Sequence, residues 1–594
     1  MNDIAAIKTL LTAYESALST ADMESFSGLL SDDFQDSKGT SKAELIKHYS
    51  GATGLAIDFF GGELTVDGNV ATFSRATISS PKGSLTNVLT IRQESDGIWR
   101  ICRTEAIDWD TEPMDEEQRI RRYESDQLAM TIRTFREKLL SDPARPGYHF
   151  VMPEGIATPF DPNGAIYWKG RYHLFYIFQD RRSGKKQDHW GHVSSTDLFH
   201  WRHHPSGLLD GMYSGNCFLN KDGVPTICYH QVKQGNAIAV ALDDELNTWQ
   251  KLPSNPITPA TSEGDEYHGR YRSWDPYGWF DGDTYYAIFG GKTPGIAKAS
   301  DLEGEWQYVG DLFAHGVNGV PLDEDVSCAD FFRLGNKDVL LCISHTMGCR
   351  YYIGEWRDEQ FYPESHAQMS WTDNLFFAPE SLLDDKGRRI MWAWLMDYRE
   401  FGVRFDQGWS GTMSLPRILS LDDSGNMLID LPEEIEALRY DEFSKQDFTI
   451  ASDEDLLIGD VSGNSLELFV EMESASALEF GVKVCVSPDA EEETVVSYNP
   501  VDGQLVIDTT KSGPEDRANG IEAGPFRLRD NERLQMRVFI DKSVIEVFAN
   551  RRQAVVRRIY PVQPESIGVR LFSKTGSARV HKLSAWKISP SNPY

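Results

Sequence analysis

Two aspartates that each precede a proline are the residues best placed to do chemistry in this chain. PFDPNGAIYW sets Asp161, and SWDPYGWF sets Asp275, just ahead of an apolar strand. A following proline disfavours helical backbone and pushes the acid towards an extended conformation, which would fix the direction of its carboxylate. Asp-Pro also starts ordinary turns, but its recurrence at matching ends of two strands favours a shared pocket. Two carboxyl groups facing one pocket are what glycosidic cleavage needs: one attacks or stabilises the sugar cation, and an acid protonates the leaving oxygen. Aromatic side chains suit a sugar ring, and Trp168, Trp190, Trp274, Trp279, Trp371, Trp392 and Trp394 fall in the same region. Most of them are expected to pack the fold, and one or two to line the pocket. The chain carries no phosphate-binding loop, dinucleotide glycine fingerprint, HExxH or GxSxG, which removes the usual competing enzyme classes.

The elements that must position these acids repeat. Five segments, AIYWKGRYHLFYIF, CFLNKDGVPTICYH, WFDGDTYYAIFGG, FFRLGNKDVLLCIS and SLLDDKGRRIMWAWL, each read as strand, tight polar turn, strand. Their turn tips fall near Lys169, Asp222, Asp281, Gly335 and Asp385, a spacing of roughly 50 residues that matches a propeller blade. A five-bladed β-propeller over 148–430 is expected. The starts of its innermost strands would converge on one funnel, carrying Asp161 and Asp275 with them.

Residues 1–110 begin with Ile4, Ile7, Leu10, Leu11 and Tyr14 at helical spacing and continue into VATFSRATIS and LTNVLTIRQ, giving a small α+β domain. Residues 111–147 are expected to be a helical linker that stops at SDPARPG. LPEEIEALR opens a second linker helix over 431–450, and 451–594 alternates strands without helices, as a β-sandwich does. The chain is therefore expected to be mainly β.

The chain has 594 residues and a formal charge of −32, with 40% hydrophobic and 25% charged residues. That is the balance of a folded multi-domain protein. So acidic a surface argues against nucleic acid or an anionic membrane as partner. No apolar run reaches the ~18 residues of a membrane helix. MNDIAAIKTLL lacks the pattern of a signal peptide, so a cytoplasmic protein is expected. Seven scattered cysteines without a CxxC pair give neither a disulfide framework nor a zinc site.

From 148 to 586 the chain resembles glycoside hydrolase family 32, the invertase, levanase and inulinase family. The resemblance rests on DPNG at 161–164, YHLFY at 172–176, WGHVSSTDLFHW at 190–201, YSGN at 213–216 and WDP at 274–276. RRIMWAW at 388–394, LPR at 415–417 and VFIDKSVIEVFAN at 538–550 complete it. It implies a propeller followed by a sandwich, retaining hydrolysis of β-fructofuranosides such as sucrose or fructans, and no metal or organic cofactor. Asp161 would be the nucleophile and Asp275 the transition-state stabiliser, with Asn163, Trp190 and Ser214 among the sugar-binding positions. The first 110 residues resemble a SnoaL-like, nuclear-transport-factor-like cone fold through IKTLLTAYESALSTADMESFSGLLSDDF and GIWRICRTEAIDW. That likeness implies an accessory module and a homodimer through it.

Several pocket positions depart from the family pattern. Its acid, the Glu of Glu-Cys-Pro-Asp, is Ser327 here, and a serine is a poor proton donor near neutral pH. Asp325 is the first replacement and Glu324 the second. Phe160 stands for an Asn, Ile177 for a Gln with Gln179 two residues on, and Trp274 for an Arg with Arg272 two residues before. A shift of two keeps a side chain on the same strand face, so Gln179, Arg272 and Asp325 are each expected to replace a missing group from one step along. Beside the leading reading stand a fructosyltransferase, a hydrolase of another furanoside, and a sugar-binding protein that has lost its acid.

Overall fold

A computed structural model of the chain describes residues 2–50, 55–59, 62–80, 83–107, 133–154, 157–180, 187–232, 234–259, 263–264, 274–321, 323–400, 403–404, 407–515 and 518–592. Most of the expected linker helix over 111–147 lies outside the described residues, as does Arg272. Two compact units divide the chain, residues 1–130 and 131–594.

The first unit is α+β. Helix Asn2–Ser19 turns Ile7, Leu10, Leu11 and Tyr14 into a core shared with a six-stranded sheet, while Ile4 stays exposed. Helices Met23–Leu29 and Lys42–Ser50 complete the unit.

The second unit begins with five antiparallel sheets in succession. Their first strands are Phe160–Trp168, Gly211–Leu219, Tyr277–Asp281, Ser327–Leu334 and Phe376–Leu383. These strands lie against their neighbours around a ring that closes between the fifth and the first. The first two strands of each sheet are the hairpins read from the sequence, so the five sheets are the blades of a β-propeller. Closure is reinforced from outside the blades: Val151 bridges Thr412 of blade 5, and the Met413 amide donates to the Phe150 carbonyl at 2.9 Å.

One irregularity recurs in the funnel. Asp161, Tyr213, Asp275, Cys328 and Ala378 all have positive φ, from 36° to 61°, and each sits at or just before the start of a blade's inner strand. In blades 1, 2, 4 and 5 the pairing register shifts at this point, so these strands are bulged there. The extended backbone expected at Asp161 and Asp275 is therefore corrected. A bulge needs one residue of left-handed backbone, and aspartate tolerates that conformation better than most residues.

Buried polar side chains just beyond the bulges stitch one blade to the next. Asn163 Nδ2 donates to the Asp161 carbonyl at 2.9 Å, and its Oδ1 accepts the Gly215 amide at 3.1 Å. Asn216 exchanges two 2.7 Å hydrogen bonds with Gly278, and Glu380 accepts the Ala165 amide at 3.0 Å. Gly215 must be glycine because a Cβ there would meet the Cys228 carbonyl at 2.3 Å.

The expected linker over 431–450 is also corrected. LPEEIEALR forms only the 3₁₀ turn Glu433–Leu438, and Arg439–Ile450 is already an edge strand paired with Ala578–Ile588. Phe443 and Phe448 are half-buried, and both rings pack on the sandwich core. Two six-stranded sheets enclose that core, with Val470, Val482, Val538 and Val547 inside it.

The sandwich is clamped to the propeller by two fully buried carboxylates from VFIDKSVIEVFAN. Asp541 accepts the amides of Gly147, Tyr148 and His149 at 2.6 to 2.8 Å and pairs with the His149 ring at 3.0 Å. Glu546 accepts the Leu415 amide at 2.9 Å and the Arg417 guanidinium at 3.1 Å. Burial drives the Glu546 pKa up, but Arg417 and His149 outweigh it and hold the group below its ordinary value. Glu546→Ala would strand the Arg417 charge in the interior, at a cost of about 3–5 kcal/mol. A clear drop in the urea midpoint is expected, and an unchanged midpoint would remove the clamp from this account.

Candidate active site

Asp161 reaches the funnel from the bulge of blade 1 and Asp275 from a left-handed residue just ahead of the inner strand of blade 3, and both are buried. Burial, followed by the charge of Asp275, pushes Asp161 up to about 8, against a smaller pull from its own backbone amide and Ser214. Among the described residues no group donates to Asp161 Oδ1. Its surroundings thus leave one oxygen uncommitted, as a nucleophile requires. Asp275 is held on both sides: the Ser214 amide donates to Oδ1 at 3.2 Å and the Cys328 amide to Oδ2 at 2.9 Å. Burial takes it to about 6, with those two amides working the other way and Asp325 adding to the rise. The Cys328 thiol lies 3.8 Å from the same oxygen, accepts the Ser214 hydroxyl at 3.0 Å, and is kept protonated by burial and the nearby carboxylates.

The left-handed turn of Gly164, at φ 54°, lets the 161–164 loop pass close over Phe175 and Trp190. Trp190 is wholly buried in the apolar core between blades 1 and 2. It supports the loop from beneath and does not face a sugar, which corrects its expected binding role. Asn163, also fully buried, spends its amide on backbone groups and is corrected in the same way. Ser214 does reach the carboxylates. Phe160 is half-buried with its ring 5.9 Å from Trp394, and Gln179 is half-buried opposite Asp188, near the end of its strand.

On the other side a cleft of about 410 Å³ is lined by Trp274, Lys292, Asp323, Glu324, Asp325 and His345 among others. The Trp274 ring packs 4.0 Å from Tyr213, and its Nε1 donates to Ser327 Oγ at 3.2 Å. Ser327 Oγ in turn donates to Asp325 Oδ2 at 3.0 Å, and His345 Nδ1 lies 2.8 Å from the same oxygen. Asp325 sits in a loop just before the strand rather than on it, and its electrostatic influence extends to Asp275 and Cys328. Glu324 lines the same cleft, but other groups hold its carboxylate: Ser344 and Thr346 donate to it and Arg350 Nη1 lies 3.8 Å away. Burial raises its pKa, but these groups outweigh burial and leave it below the ordinary range.

Tyr213, Cys328, His345 and Phe377 were not singled out from sequence, and Trp394 only as one of seven tryptophans of the region. Phe377 touches both the Trp394 and His345 rings, at 6.1 and 5.7 Å, and forms an aromatic wall on the blade 5 side. Among the described residues one trio has ligand atoms close enough for a metal, His173, His192 and His204 in blade 1. Their rings stack, and their nitrogens bond one another, Ser194 and Asn247. Burial, above all other effects, holds all three imidazoles below their ordinary pKa.

A closed propeller with paired buried carboxylates at its funnel and a sandwich locked to its flank defines a glycosidase. Residues 149–432 match the glycosyl hydrolases family 32 N-terminal domain and residues 434–587 the family 32 C-terminal domain, and the chain belongs to that family. A sucrose-6-phosphate hydrolase of Zymomonas mobilis is 27% identical over 508 residues, covering 77% of this chain and 94% of that protein. A fructan 6-exohydrolase of Beta vulgaris is 26% identical over 533 residues, covering 75% and 87%. The crystal structure of fructan 1-exohydrolase IIa from Cichorium intybus shares the fold, with a TM-score of 0.65 at 22% identity over 76% of this chain and 98% of that one.

The raised Asp161 pKa has a consequence for stability. Its folded value of about 8 lies above the ordinary value of 3.8, so its contribution is full below the unfolded pKa and is lost as pH rises through the folded one. Asp161→Asn removes that loss. The variant should melt higher than the parent by a few degrees at pH 9 and by little at pH 4. A difference that does not grow with pH would contradict the assignment.

Proposed function

We propose that the protein hydrolyses terminal β-fructofuranosyl linkages of sucrose or short fructans with retention of configuration. An Asp161 carboxylate oxygen attacks the anomeric carbon as its bond to the leaving oxygen breaks and that oxygen takes a proton. A fructosyl ester on Asp161 results. Water then attacks the same carbon, the acid now acting as base, and Asp161 is released. Asp275, fixed by the Ser214 and Cys328 amides, holds sugar hydroxyls and stabilises the cationic transition state. Asp325, which lines the cleft, serves as the acid. Asp325 is preferred to Glu324 because its charge reaches Asp275 and Cys328 beside the aspartate pair.

The observation that carries this reading is the buried carboxylate pair on left-handed residues at the mouths of blades 1 and 3, with Asp161 Oδ1 receiving no hydrogen bond among the described residues. The test is fructose release from sucrose, inulin and levan by the parent and by Asp161→Asn. Release should fall roughly 10³-fold or more in the variant, the scale of a missing covalent step. Turnover untouched by the substitution would sink the reading, and no release from any of the three by the parent would turn it towards sugar binding without catalysis.

The acid limb of kcat/KM reports the ionisation of Asp161. Because the charge of Asp275 helps to raise that pKa, Asp275→Asn should move the limb to lower pH while lowering kcat. A limb that stays put or moves upward would show that another group sets it.

A further inference from the structure

Two donors converge on a single oxygen of Asp325. Ser327 Oγ stands 3.0 Å and His345 Nδ1 2.8 Å from Oδ2, while Trp274 Nε1 holds Ser327 Oγ from behind at 3.2 Å. Both hydrogen bonds land on Oδ2, which leaves Oδ1 to carry a proton. The loop is fixed as well: Arg350 Nη2 donates to the Asp325 carbonyl. Asn374 Nδ2 donates to the His345 carbonyl at 3.0 Å, and the Phe377 ring flanks the imidazole. The His345 side chain is 60% exposed and that of Asp325 18%, so the imidazole has water on its outer side and the carboxyl on its inner one.

We infer that Ser327 and His345 are the positioning pair of the proton donor, a two-point hold on Asp325 that stands where the family carries a single glutamate. The inference rests on Asp325 being the acid of the proposed hydrolysis. In the first half-reaction the Oδ1 proton passes to the leaving oxygen as its bond to the anomeric carbon breaks, and the alcohol departs neutral. The Asp325 carboxylate left behind is stabilised by the Ser327 hydroxyl and by the Nδ1–H of His345. In the second half-reaction Oδ1 takes a proton from the attacking water, and the cycle closes with no net change in the pair. The serine that seemed to mark a lost acid thus becomes part of its support.

Hydrogen bonds to the charged form of an acid lower its pKa. Removing either donor should therefore carry the alkaline limb of activity upward. The groups that also face this carboxyl are Glu324, Asp323 and Lys292 around the cleft, Arg350 beside it, and Asp275, Cys328 and Cys342 beneath. All of them remain in the variants below.

The test compares pH profiles of sucrose hydrolysis for the parent, His345→Phe, Ser327→Ala and the double variant, with nitrophenyl β-fructofuranoside as a second substrate whose leaving group needs little protonation. Each single substitution should shift the alkaline limb up by about one pH unit, the effect of one charge-assisted hydrogen bond. The double variant should shift it further. Turnover of sucrose should fall roughly 10-fold or more, and that of the nitrophenyl substrate much less. Circular dichroism confirms that each variant is folded. A limb that stays in place in both single variants, or equal losses on the two substrates, would overturn the inference. If Asp161→Asn abolishes fructose release while the limb stays in place, the positioning pair fails alone. If Asp161→Asn leaves release intact, the underlying reading fails with it.

Discussion

The funnel depends on keeping two carboxylates out of water within each other's field. A buried carboxylate resists ionisation, and a second one nearby makes ionisation harder still, so nothing about Asp161 and Asp275 favours their own burial. The scaffold holds them there. Each sits on a left-handed residue at the mouth of its blade, Asp161 within a bulge and Asp275 just ahead of its strand, and Asn163, Asn216 and Glu380 fix the neighbouring backbones with buried hydrogen bonds. Strain of this kind persists only where the surroundings over-determine it. Here the surroundings are a ring of five blades, closed by the segment around Val151 and braced by the sandwich through Asp541 and Glu546.

How much of this was legible in the sequence follows from how local each signal is. The hairpins were readable because alternation and turn residues lie within a dozen positions, and five copies at even spacing gave the propeller. The sandwich was readable for the same reason. Its edge strand Arg439–Ile450 was not, because a charged, half-exposed strand directly after a helical turn alternates only weakly. The two funnel aspartates were found from their prolines, but the backbone there was misread. Proline biases its predecessor towards extended structure, and the need for a bulge, set by the neighbouring blade, overrode that bias.

The pocket beyond the aspartates was partly legible. A two-residue offset led to Asp325 beside Ser327, and the two are hydrogen bonded, though across a loop and not along one strand face. His345 gave no signal because it meets Asp325 only through the fold of blade 4. Trp190 and Asn163 carried the right motif and a different task. Their places in WGH and DPNG identify them, but only packing reveals that they support the loop from inside. The same holds for VFIDKSVIEVFAN, whose acids face the propeller and not a substrate.

The five left-handed positions form a ring of equivalent sockets, occupied by Asp161, Tyr213, Asp275, Cys328 and Ala378. Two hold carboxylates, one an aromatic ring, one a thiol, and the last a methyl group. Because the backbone geometry belongs to the socket and not to its side chain, the ring is a modular rim in which chemistry can be exchanged without redesigning a strand. Ala378 is the blank in that rim. Its methyl is wholly buried in the apolar core, so a polar side chain there would have to be given a partner before it could add to the funnel.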